Sequence, residues 1–107
     1  MVRRTEFAHM YPKHGARVYF LLDTDRGEVV HFVINLVLVL DDGTCHEVYR
    51  ADTCHGFAHE QRFWQSGRKM MLDGSYTEIF MEKKKELLEN YPRWVSLFRK
   101  SRGLKGD

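Results

Sequence analysis

An arginine, an aspartate, a thiol and two imidazoles fall within ten residues of this chain, Arg50-Ala-Asp52-Thr-Cys54-His55-Gly56-Phe-Ala-His59. Imidazoles titrate near neutrality, a guanidinium presents a fixed cationic fork, and a carboxylate can orient an imidazole. As a catalytic set, one histidine of the His55/His59 pair would take the proton from a nucleophile such as a ribose hydroxyl. The other would protonate the leaving oxygen, with Arg50 neutralising phosphate charge and Asp52 orienting a ring. As a metal set, Cys54, His55, His59 and His31 offer the thiolate and imidazole ligands that zinc takes, although no Cys-x-x-Cys knuckle accompanies them. The plainest reading of the same residues is polar loop contacts for the histidines, a tight turn at Gly56 and an ion pair between Arg50 and Asp52 within a sheet.

A run of strands must position these groups. Residues 17–22 are β-branched and aromatic, and the turn-rich Asp23-Thr-Asp-Arg-Gly27 leads into the long apolar run 29–40. Asp41-Asp42-Gly43 separates that run from residues 44–51, and Asp-Gly is a strong hairpin signal. With Asp42-Gly43 as a two-residue turn, Asp41 faces Thr44 and the register can be read outward. Phe32, Ile34, Leu36, Leu38 and Leu40 then share a core face with Ala51, Tyr49, Glu47 and Cys45. The other face sets Asn35 opposite Arg50, Val33 opposite Asp52 and His31 opposite Cys54, which makes His31 and Asn35 candidate substrate contacts.

After His59, residues 61–65 and 68–72 flank Ser66-Gly67 and suit a shorter hairpin. Arg62 and Trp64 interleave a base with an aromatic, as surfaces that stack nucleobases and hold phosphate do, and they complete the substrate-contact set. Ser75-Tyr-Thr-Glu78 reads as a capping box that opens a helix. Tyr76, Ile79, Phe80, Leu87, Leu88 and Tyr91 recur at helical spacing, while Lys83-Lys84-Lys85 reads as a solvated face. Pro92 either kinks this helix or opens a second one carrying Trp94, Val95 and Phe98. The expected fold is α+β: an antiparallel sheet of three to five strands, a meander of hairpins, packed on one face by one or two C-terminal helices. Residues 1–15 read as an N-terminal lead-in, 16–102 as the single domain, and 103–107 as a flexible basic tail.

A chain of 107 residues fits one core, and 43% hydrophobic with 30% charged residues excludes a disordered chain. The net charge of +2 permits an anionic partner but falls short of a dedicated nucleic-acid module. Two cysteines, and no apolar leader in Met-Val-Arg-Arg-Thr-Glu, point to a reducing, cytoplasmic compartment. The longest apolar run is too short to span a bilayer. A sheet with an unblunted edge could also pair into a homodimer.

Tyr49-Arg50-x-Asp52-x-x-His55-Gly56-x-x-His59, followed by Ser75-Tyr76-x-Glu78 and Glu89-Asn90, resembles a family of small uncharacterised prokaryotic domains with an Arg-x-Asp-x-x-His-Gly-x-x-His signature. More distantly it is similar to the TumE-like toxins of toxin–antitoxin pairs. Gln61 stands where such a signature often shows another histidine. The resemblance implies an RNA or translation target and an antitoxin protein as partner. Beside it stand two other readings, a non-catalytic module that binds a protein or anionic partner and a small zinc protein.

Overall fold

Apolar residues at every second position of 16–22 and again of 32–38 dictate a sheet with one buried face. The computed structural model describes residues 1–104. It contains six antiparallel strands in the order β1-β2-β3-β4-β5-β6: β1 Val2–Tyr11, β2 Ala16–Asp25, β3 Glu28–Val39, β4 Cys45–Asp52, β5 His59–Arg62 and β6 Met70–Met71. One helix, α1 Tyr76–Ser101, packs on the face that carries Val18, Phe20, Phe32, Ile34, Leu36, Leu38, Tyr49 and Ala51. Among the described residues no helix is long and apolar enough to cross a membrane.

The sheet exceeds the expected three to five strands. Its additional strand lies in the segment read as a lead-in, since Val2–Tyr11 pairs with β2 along its whole length. All of β1 except Tyr11 is exposed, so no buried face imposes an apolar alternation on its sequence. At the other end, Leu104 donates its amide to Arg99 O (2.8 Å) and packs on the core, so the expected tail starts inside the fold. Residues 105–107 of that tail lie outside the described residues.

The third and fourth strands pair as the sequence predicts at their functional end, with Asn35 opposite Arg50 and Val33 opposite Asp52. The turn that joins them differs. Leu40 O accepts from Gly43 N (2.9 Å) and Leu40 N donates to Thr44 O (2.9 Å), so Asp41-Asp42-Gly43 is a three-residue loop with Gly43 at φ +87°. A register shift past Leu36 then compensates: Val37 faces Glu47 while Leu36 faces Tyr49. Between these two irregularities every β4 side chain changes face, while those of β3 keep theirs. Glu47, expected in the core, therefore points to the face away from α1, and Cys45 is exposed.

Ser75 caps α1 as predicted, accepting from Glu78 N at 3.1 Å. Pro92 lies inside the one helix. An interior proline costs about 3 kcal/mol, and burial of Trp94, Val95 and Phe98, each contributing about 1.5–3 kcal/mol, offsets it. Lys83 departs from the solvated face expected of the lysine run. It is only 9% exposed and meets Glu60 Oε2 at 3.5 Å and Glu86 Oε2 at 3.4 Å.

Candidate functional site

Arg50 and Asp52 are two residues apart on β4, which places both on the face away from α1. The chain then makes a 3-10 turn over Cys54–Gly56 and returns as β5, whose first residue, His59, pairs with Asp52. This turn is why two residues seven apart in sequence become cross-strand neighbours.

The Asp52 carboxylate is 1% exposed and fully engaged. Oδ1 lies 3.0 Å from His59 Nε2 and accepts from Cys54 N at 3.0 Å, and Oδ2 accepts from Arg50 Nε. Burial alone would raise its pKa. The Arg50 hydrogen bond, the Cys54 amide and the charges of His59 and Arg50 outweigh that and hold it below the ordinary carboxylate range. Arg50 Nη1 in turn meets Glu47 Oε2 at 3.3 Å, and Asn35 Nδ2 donates to Glu47 and to Tyr49 O (3.3 Å). The result is a line of alternating groups, Asn35, Glu47, Arg50, Asp52, His59, running across three strands.

An ionised carboxylate can only accept, so Nε2 of His59 carries a proton toward Asp52. The opposite ring nitrogen, Nδ1, is buried and has no hydrogen-bond partner among the described residues. The ring is 2% exposed, and the Phe57 ring, 37% exposed, lies 5.3 Å from it. A histidine oriented by a carboxylate through one nitrogen, with the other uncommitted, is the arrangement of a general base.

The remaining candidates separate. His55 is exposed at the 3-10 turn with φ +70°, and among the described residues it makes no hydrogen bond, ion pair or ring contact. The paired histidines are thus neighbours in sequence but not bonded partners. His31 Nδ1 meets Thr53 Oγ1 at 2.6 Å rather than Cys54, and Thr53 Oγ1 also accepts from Phe32 N at 3.0 Å. Among the described residues no three His, Cys, Asp or Glu side chains are gathered as a group that could hold a metal ion, Cys54, His55, His59 and His31 included.

Arg62 and Trp64 lie on the helix side of the sheet. Arg62 pairs with Tyr49 in register, its guanidinium sits 5.8 Å from the Trp64 ring and 5.5 Å from the Trp94 ring, and it bonds Glu86 Oε1 at 2.9 Å. These residues line an open cavity of about 330 Å³ with Gln65, Asn90 and Arg93. Beside it is a buried network that the sequence reading missed. Tyr49 Oη donates to Glu60 Oε1 (2.9 Å), and Arg62 Nε and Lys83 Nζ approach the same carboxylate at 3.4 and 3.5 Å. Burial and the Glu60 charge push the Tyr49 phenol up. The strand begins at His59 rather than Gln61, which sets Glu60 opposite Ala51 on the core face.

A family model matches residues 2–104, and the chain belongs to that family, described as a domain of unknown function, DUF7718. No curated protein and no solved structure matches the chain.

Proposed function

We propose that this domain acts on RNA or another nucleic acid as a toxin-like, metal-independent hydrolase whose general base is His59. The observation that carries the reading is the buried Asp52–His59 pair, which fixes one imidazole nitrogen and leaves the other uncommitted. His59 Nδ1 would take the proton of a ribose 2′-hydroxyl as its oxygen forms a bond to phosphorus. The P–O5′ bond breaks, and His55, exposed on the adjoining turn, would protonate the departing oxygen. Arg50 retains Nη2 for a phosphate oxygen, while Nε and Nη1 hold Asp52 and Glu47. His59 is 2% exposed, so a hydroxyl reaches Nδ1 only if the side chains around the ring give way.

The resemblance to TumE-like toxins supports RNA as the target and a protein antitoxin as the partner in the cytoplasm. Incubation of RNA with the wild type, His59→Gln and His55→Gly tests the reading. Cleavage by the wild type and its loss in both variants is the expected result, and equal RNA survival with all three proteins refutes it. The burial of Asp52 and His59 favours a second reading, a non-catalytic module whose exposed turn docks a partner.

A further inference from the structure

The side of β1 that faces α1 reads Arg3, Thr5, Phe7, His9, Tyr11, alternate residues with no carboxylate among them. Their rings form a continuous ladder. Phe7 stacks on His9 at 6.2 Å with planes 14° apart, His9 meets Tyr11 edge-on at 4.5 Å, and Tyr11 stacks on Tyr91 of α1 at 4.4 Å. Phe7 is 50% exposed. Lys84, one helical face with Tyr91, holds its Nζ 5.6 Å from the Phe20 ring, which Phe7 also contacts at 5.9 Å. Aromatic rings beside a basic track suit stacked bases and the phosphates that join them. Here aromatic planes are flanked by cations, with Arg3 at one end and Lys84 alongside.

We infer that single-stranded nucleic acid binds along this ladder, its bases stacking on Phe7 and His9 and its phosphates held by Arg3 and Lys84. Base–aromatic stacking tolerates any sequence, and a strand presents such rings about 6.6 Å apart on one face, within reach of successive bases of an extended chain. The site lies on the opposite side of the sheet from Asp52 and His59, so it would tether a strand rather than cut it. This inference rests on the nucleic-acid reading above and names its docking surface.

Fluorescence anisotropy with labelled single-stranded oligothymidylate separates the two claims, because a probe without 2′-hydroxyls reports binding and cannot report cleavage. The expected result is binding that weakens with salt, at least tenfold tighter than to duplex of equal length, and weakened at least fivefold by Phe7→Ala and by Lys84→Glu with unchanged circular dichroism. Binding that survives both substitutions, or is absent in the wild type, overturns the inference whatever RNA cleavage shows. A dimer in sedimentation that Phe7→Ala dissolves, with no oligonucleotide bound, would overturn it too by assigning the ladder to a second copy of the chain.

Discussion

His59 Nε2 lies 3.0 Å from Asp52 Oδ1 across the β4–β5 pair, and both side chains are almost wholly buried. Asp52 is thereby held between an imidazole and a guanidinium, and it organises the turn between the two strands through the Cys54 amide. Its substitution should reach both stability and chemistry.

Asp52→Asn keeps the shape of the side chain and removes its charge. The expected cost is about 2 kcal/mol, below that of a wholly buried pair because Arg50 is one-third exposed and keeps Glu47. Urea unfolding of the variant against the wild type measures it.

The acid limb of stability should carry the same residue. The Asp52 pKa is lowered on folding, so the folded state binds fewer protons and the contribution is complete above the unfolded value of about 3.9. It is lost as pH falls through the lower folded value. Asp23, lowered first by its Arg4 hydrogen bond, follows the same sign. The wild type minus Asp52→Asn difference should therefore be flat above about pH 5 and shrink below pH 4, a profile that unfolding midpoints at stepped pH would reveal.

In the helix-side network, Glu60→Gln strands Lys83, which is nearly buried and, among the described residues, keeps only Glu86 as a counter-charge. A loss of about 2–4 kcal/mol is expected. Adding Lys83→Met should recover a large part of it, since a well-packed apolar side chain replaces an uncompensated cation. A double-mutant cycle in urea checks the sign, and additive losses would show that the two residues do not share the network.

His55 occupies the left-handed region at φ +70°, which glycine enters freely and a side chain does not. Relief of that strain opposes the extra freedom of the unfolded glycine chain, so His55→Gly should stay within about 0.5 kcal/mol of the wild type. Loss of RNA cleavage at unchanged melting temperature would then isolate the imidazole.

Much of this architecture is legible in the residues alone. Period-two alternation over 29–40 and the Asp-Gly turn are local signals, and they place Asn35 against Arg50 and Val33 against Asp52 as found. That agreement depends on two irregularities that cancel: a three-residue turn in place of two, and a compensating shift beside Val48. Glu47 lies between them, so an uninterrupted register places it in the core whereas it belongs with Arg50. The β1 strand left little trace because neither of its faces is buried.

Sequence by itself determined the α+β class, the face that carries Arg50 and Asp52, and the Ser75 cap, because each follows from spacing within a few residues. Tertiary structure decided which histidine meets Asp52. The reversal of the chain between β4 and β5 sets His59 against Asp52 and leaves His55 in solvent, a choice made by cross-strand pairing and burial that the shared four-residue spacing of the two histidines does not encode. The same distance-blind packing drew Lys83 from a run of three lysines into the core, where the Glu60 carboxylate supplies the charge that makes its burial tolerable.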